Sequence, residues 1–197
     1  MTIRASNMKI ILASSSPRRL ELLRLIGLEP EIMIPSVDEV IKPGETVEDF
    51  ICRVTRQKGE VIYRDEFYEI PVVSSDTVVY INRTILGKPK DRQDAFNMLK
   101  ILSGNVHEVM TGVGVLFKGK SYVDFTVTKV FFTKLSGEEI DFYLDNKEYA
   151  DKAGAYGIQG KASVFVEKIE GCYFNVMGFP LNLFYNMLKK INIAIYR

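Results

Sequence analysis

Two adjacent arginines behind a serine run and a proline are the first feature of this sequence with chemical potential. In SSSPRR (residues 14–19), Ser16 is placed to cap a helix and Pro17 to occupy its first turn, where no N–H is needed. That puts Arg18 and Arg19 at a helix start, an end that already carries partial positive charge. An anion reverses the penalty: the guanidiniums can clasp phosphate oxygens while Ser14, Ser15 and free backbone N–H groups complete a cradle. In the plainer alternative both arginines only solvate an imperfect helix.

Carboxylates supply a second kind of chemistry. Asp76 follows an apolar run and two serines, which predicts a carboxylate at a strand end or bend. Paired with Asp38 or Glu39 from the loop PSVDEVIKPGET, it can bind a divalent ion and activate water, with a carboxylate accepting the proton as phosphorus is attacked. An acidic surface explains the same residues without a site. Lys58 and Lys88 can offset a polyphosphate tail as point charges, Lys88 from a turn fixed by Pro89, or can be ordinary exposed lysines. DKAGAYGIQG (151–160) offers Gln159 for hydrogen bonding, Tyr156 for packing and Lys152 for an anion or for Asp151, with Gly157 and Gly160 giving backbone access; a structural double turn is the alternative. Neither the Walker phosphate loop nor the dinucleotide glycine fingerprint occurs, so a nucleotide site here needs a different cradle. His107 has no nearby Cys/His set and reads as structural or solvated, not as a zinc ligand.

The elements that must position these groups follow from apolar spacing. KIILA (9–13) predicts a buried strand, and Leu20, Leu23 and Ile26 a helix face ended by Gly27. EIMI (31–34) is a second strand. Thr46 and Asp49 suggest a capped helix with Phe50, Ile51, Val54, Val61 and Ile62 along its stripe. IPVVSSDTVVYI reads as two apolar stretches interrupted at SSD, followed by a turn at Asn82 and Arg83. A helix through Ala95, Met98, Leu99 and Leu102 comes next. GVGVLF and SYVDFTVTKVFF around KGK predict an antiparallel hairpin, and Ser136 with Glu139 a second helix cap. Residues 146–162 read as a functional loop, too rich in glycine and charge for a quiet core element. Strand SVFVEKI and helix PLNLFYNMLKK close the chain.

Composition sets outer limits. A chain of 197 residues can bury a substantial core as one domain or two closely packed lobes. With 26 basic against 25 acidic side chains there is no global field to attract nucleic acid or membrane, so any anion site must be local. Cys52 and Cys172 form no CxxC unit and read as isolated thiols. No apolar run reaches the roughly 18 residues of a membrane span. The start, MTIRASNMKIILASS, is too charged and too short in apolar residues for a secretory signal, so a cytoplasmic location is the expectation.

In order, ILASSSPRRLELL, SVDE, SSDTVV, ILGKPKD, LSGNVHEVMTGV, DKAGAYGIQG and GFPL resemble the Maf family of nucleotide pyrophosphatases. Each piece is modestly diagnostic, and their ordered combination is highly specific. The resemblance implies an α/β, two-lobed mixed-sheet fold related to inosine triphosphate pyrophosphatases. A central substrate cleft and one domain spanning residues 1–197 go with it. It implies hydrolysis of a nucleoside triphosphate to the monophosphate and pyrophosphate with Mg2+ or Mn2+. Carried over residue by residue, Asp76 becomes the catalytic proton acceptor and, with Glu39, a metal participant. Ser14, Arg18, Arg19, Lys58 and Lys88 become phosphate contacts, and Arg18, Thr77 and Gln159 the positions governing base choice. SSDTVV with AYGIQG looks like the dTTP- and UTP-hydrolysing branch, not the one acting on 7-methyl-GTP. Two departures stand out: Gly59 follows Lys58 where alanine is usual, and Glu148-Tyr149-Ala150 replaces the commoner Glu-Pro-x. A homodimer is the family habit.

The family's link to arrest of septum formation defines a rival, a nucleotide-responsive binding protein with little or no catalysis. Asp76, Lys88 and Gln159 together favour turnover. A nucleic-acid binder is weaker, since no basic track is interleaved with aromatics.

Overall fold

Short, wholly apolar strands need cover on both faces, and long alternating strands need it on one. This chain uses both kinds, and its contacts cluster into two compact units. The computed structural model describes the backbone of residues 3–4 and all of residues 8–195. The opening residues 1–2 and 5–7, part of the segment weighed above as a secretory signal, lie outside the described residues. The first unit comprises residues 1–76, 111–126 and 178–197, the second residues 77–110 and 127–177. Strands β4 (Val72–Ile81), β6 (Val106–Phe117) and β7 (Lys120–Phe132) contribute a stretch to each.

In the first unit, β1 (Ile3–Arg4) pairs in parallel with β9 (Ile193–Ala194). Strand β2 (Ile11–Ala13), buried along its length, lies between β3 (Glu31–Met33) and β4 and is parallel to both. The connection from β2 to β3 is α1 (Pro17–Leu25) and that from β3 to β4 is α2 (Val47–Glu60), the βαβ arrangement that parallel strands require. Ser16 sits at the N-cap of α1, but its side chain makes no capping bond. Instead the Ser14 hydroxyl accepts from the Ser16 N–H, because the extended chain turns Ser14 inward. Leu22 and Leu23 are the buried residues of α1, while Leu25 points to solvent. Thr46 caps α2 as expected, accepting from the Asp49 N–H at 3.1 Å. Ile11, Ala13, Val72 and Leu116 share a core with Ile62 and Phe67. α6 (Leu181–Lys190) completes the unit, burying Leu181, Phe184, Met187 and Leu188.

Helix α2 approaches its sheet neighbours more closely than side chains permit. A Cβ at Gly112 would lie 2.3 Å from Thr55 Oγ1, and one at Gly114 2.5 Å from Ser74 Oγ. The GVG of the sequence is therefore a clearance that admits the Thr55 face of α2.

The second unit starts where β4 continues past Asp76. Asn82 and Arg83, at φ 49° and 62°, form the two-residue turn into antiparallel β5 (Thr84–Leu86). α3 (Arg92–Leu102), capped by Asp91, buries the four residues expected of it, Ala95, Met98, Leu99 and Leu102. The predicted hairpin is present as β6 and β7, turning at Lys118 and Gly119 with φ 52° and 69°. β7 pairs antiparallel with β8 (Val166–Glu170). α4 (Gly137–Leu144) carries the Ser136/Glu139 capping box, and α5 (Tyr173–Val176) is a single turn. With both parallel and antiparallel pairs, the fold is α/β with a mixed sheet, in the order β3-β2-β4-β6-β7-β8 and β5 on β4.

Two readings of the sequence need correction. β4 is one unbroken strand through SSD, so Asp76 lies inside a strand and not at its end. The polar run is tolerated there because each buried side chain finds a partner: Ser74 donates to the Thr55 carbonyl at 2.7 Å, Ser75 to the Gly178 carbonyl at 3.1 Å, and Asp76 accepts from Lys58. Residues 146–162 are only partly a loop. Gly154, Ala155, Tyr156 and Ala162 are buried in the core of the second unit, where 3-10 turns at Ala153–Ala155 and Lys161–Phe165 fold the backbone inward.

His107 anchors that core. Its Nε2 lies 2.7 Å from the Tyr156 hydroxyl, and its ring meets Phe132 edge-on at 5.0 Å. Burial lowers its pKa from the ordinary value to about 4. The unfolded chain therefore takes up a proton at His107 before the folded protein does, and stability falls as pH drops from about 6.5 toward 4. We expect this residue to contribute roughly 3 kcal/mol of that loss. Urea unfolding of wild type and His107→Gln at pH 7 and pH 4 measures it: the wild type should lose more, and equal losses would contradict the assignment.

Candidate active site

Strand and helix periodicities together build the site of the first unit. Along β4 alternate side chains share a face, so Ser74 and Asp76 point the same way. On α2, Thr55 and Lys58 are one turn apart on a common face. The two faces meet: the Ser74 hydroxyl bonds the Thr55 carbonyl, and Lys58 Nζ donates to Asp76 Oδ1 at 2.6 Å. Lys58 also forms an ion pair with Glu39 Oε1 at 2.6 Å. The ammonium thus bridges two carboxylates, with the Lys58 and Asp76 side chains 9% and 8% exposed and that of Glu39 46% exposed. The buried end is fixed by the strand and the accessible end by a loop. Asp38, the alternative companion to Asp76, is exposed and lines a surface groove with Val37 and Val40.

Arg19 makes a second set of contacts with β4. Its Nη1 donates to Ser14 Oγ at 3.1 Å and to the Ser75 carbonyl at 2.8 Å, and its Nε to the Gly178 carbonyl at 3.0 Å. One guanidinium therefore ties the end of β2 and the interior of β4 to the segment leading into α6. Burial lowers its pKa from the usual value, Asp76 opposes that shift, Arg18 reinforces it and Glu39 again opposes it. The charge of the carboxylate pair is thus felt at Arg19. Arg18 is half-buried beside it.

The remaining candidates belong to the second unit. Thr77 is half-buried in β4, and Lys88 and Gln159 are exposed. The backbone N–H of Gly154 donates to the Gly87 carbonyl at 3.0 Å, so the turn of Lys88 and the segment leading to Gln159 are tied to each other. Gly154 adopts φ 69°, and a Cβ there would strike Val79 at 2.9 Å. Lys152 is bound to Asp151 at 2.7 Å and to the Glu148 carbonyl. Sequence reasoning missed the Gly178 carbonyl, since a backbone acceptor leaves no residue-type signal. It also missed the pairing of Arg53 with Glu45, whose carboxyl is held down at about 2, chiefly by its hydrogen bond from Arg53.

Among the described residues no three His, Cys, Asp or Glu side chains gather in a way suited to a metal ion. The donor set near Lys58 is two hard carboxylates, which suits a cation that takes the rest of its shell from phosphate and water.

This architecture has a counterpart among solved structures. The Ham1 protein of Staphylococcus aureus superposes with a TM-score of 0.51 at 12% identity, covering 93% of this chain and 99% of that one, a likeness of fold alone. Residues 9–191 match the family described as Maf-like protein. The dTTP/UTP pyrophosphatase of Alkaliphilus oremlandii (strain OhILAs) is 48% identical over 175 residues, 88% of this chain and 91% of the relative. That of Bacillus anthracis is 43% identical over 187 residues, 95% and 97% of the two chains. This chain belongs to the Maf family.

Pairing dictates the energetics of Lys58. Its replacement in K58M leaves the buried Asp76 carboxylate without its ammonium and should cost roughly 3 to 5 kcal/mol, and D76N in the same chain should restore most of it. Urea unfolding of the wild type, both single variants and the double variant tests this; simple addition of the two losses would contradict the pairing.

Proposed function

We propose that this chain hydrolyses dTTP and UTP to the nucleoside monophosphate and pyrophosphate, with Asp76 accepting the proton of the attacking water. The substrate class rests on its kinship with dTTP/UTP pyrophosphatases. The observation that carries the residue assignment is the Lys58 ammonium held between Asp76 and Glu39 at 2.6 Å from each. Two carboxylates and an ammonium in one hydrogen-bonded group support this reading, since attack on an anionic phosphorus centre calls for a proton acceptor and a compensating positive charge.

In this reading the water oxygen forms a bond to the α-phosphorus, its proton passes to Asp76, and the bond to the bridging oxygen breaks to release pyrophosphate. Lys58 donates to phosphate oxygens as negative charge shifts toward the leaving group. Arg18, Arg19, Ser14 and Lys88 are assigned to phosphate binding, and Arg18, Thr77 and Gln159 to base choice. Arg19, held at Ser14, Ser75 and Gly178, would also keep the cradle's shape. Asp76 and Glu39 would hold Mg2+ or Mn2+, whose chemistry is to acidify bound water and neutralise phosphate charge. A cytoplasmic homodimer that binds neither nucleic acid nor membrane accompanies this reading, from family habit and balanced charge. Among the described residues no helix is long and apolar enough to cross a membrane.

The test is product analysis on a panel of nucleoside triphosphates with magnesium or manganese. Wild type should release pyrophosphate from dTTP and UTP, and a folded Asp76→Asn variant should be slower by roughly 10²- to 10⁴-fold. Stepwise orthophosphate release through a diphosphate would contradict the reaction. No turnover by folded wild type would move the nucleotide-responsive binding protein forward.

A further inference from the structure

The loop from β3 to α2 crosses open space before and after it delivers Glu39. Its residues on either side of Glu39, Val37 and Asp38 before it and Val40 to Pro43 after it, line a groove of about 670 Å³ with the α2 residues Arg53, Gln57 and Glu60. Val40 and Ile41 are 63% and 42% exposed, so apolar packing does not press this loop onto the helix. Beside the Lys58–Glu39 pair, polar contacts from Arg53 do the holding. Arg53 Nε donates to Glu45 Oε1 at 2.5 Å, and Nη2 to Glu45 Oε2 at 2.7 Å and to the Val40 carbonyl at 3.0 Å. Nη1 is held by Gln57 Oε1 at 3.1 Å, which fixes the plane of the fork. Glu45 in turn closes the loop on itself: its Oε2 accepts from the Lys42 N–H at 2.9 Å and its own N–H donates to the Lys42 carbonyl at 3.0 Å. The Arg53 and Glu45 side chains are 20% and 10% exposed, so this fork is shielded far better than a surface pair.

We propose that Arg53 is a positioning residue: by gripping Glu45 and the Val40 carbonyl it sets the loop so that Glu39 reaches Lys58 and the Asp76 carboxylate. The inference rests on the reading of Glu39 as a functional acid. Arg53 and Lys58 share α2, so the helix carries both the grip on the loop and the ammonium to which the loop delivers its carboxylate. An arginine is required because only a planar fork can serve Glu45 in two places and still reach a backbone carbonyl.

The experiment compares wild type with R53K, E45Q, E39Q and R53K/E39Q, each checked by thermal melting. Three readouts are taken: amide hydrogen exchange over residues 38–45, Mn2+ binding by electron paramagnetic resonance without substrate, and kcat and KM for dTTP against Mg2+ concentration. R53K should speed exchange in the loop, weaken Mn2+ binding and raise the half-saturating Mg2+ concentration by roughly tenfold, and it should add little to the defect of E39Q. E45Q should move all three readouts in the same direction, and decides the matter if R53K does not fold. If E39Q is impaired while R53K and E45Q match wild type, or if R53K and E39Q defects multiply in full, the positioning role is overturned and the proposed function stands. If E39Q matches wild type, the reading of Glu39 fails and the inference with it.

Discussion

A lysine ammonium that bridges two carboxylates, one of them buried, constrains everything around it. Lys58 and Asp76 can leave water only because each neutralises the other, and their attraction is useful only if helix and strand are held in register. Three local features meet that demand. Gly112 and Gly114 let α2 settle against the sheet, the Ser74 hydroxyl locks to the Thr55 carbonyl one turn before Lys58, and β4 runs unbroken through Asp76. Glu39 joins from a loop instead of a strand, so the site has one buried acid and one accessible acid.

The second unit solves a different problem. Lys88 and Gln159 sit on exposed segments that need support without being buried themselves. Support comes from beneath: Tyr156 is hydrogen-bonded to His107, Phe132 packs against both rings, and Gly154 bonds to Gly87 under the Lys88 turn. This glycine-rich run is thus partly core, and its glycines serve close approach. Gly154 shows this, with its positive φ and its contact with Val79.

Much of the fold was legible in the sequence wherever periodicity and capping agree. Thr46 with Asp49, Ser136 with Glu139 and the apolar spacing of Ala95, Met98, Leu99 and Leu102 each marked an element that is present. The SSD interruption misled because polar residues normally end a buried strand, and only tertiary partners make them admissible inside one. The gathering of Glu39, Lys58 and Asp76 was legible only through resemblance to the Maf family, since sequence spacing says nothing of which loop returns to which strand. The Arg53 fork and the Gly178 carbonyl left no trace at all: one is a long-range pairing of ordinary charges, the other a backbone atom.

The proposed function makes a single chemical claim, that a carboxylate-activated water attacks the α-phosphorus of a pyrimidine nucleoside triphosphate. Release of monophosphate and pyrophosphate is also compatible with attack on the β-phosphorus, so product identity alone does not locate the bond that forms. Hydrolysis of dTTP in 18O-enriched water does, by mass spectrometry of both products. The account predicts the label in the nucleoside monophosphate and none in the pyrophosphate; label in the pyrophosphate would contradict it.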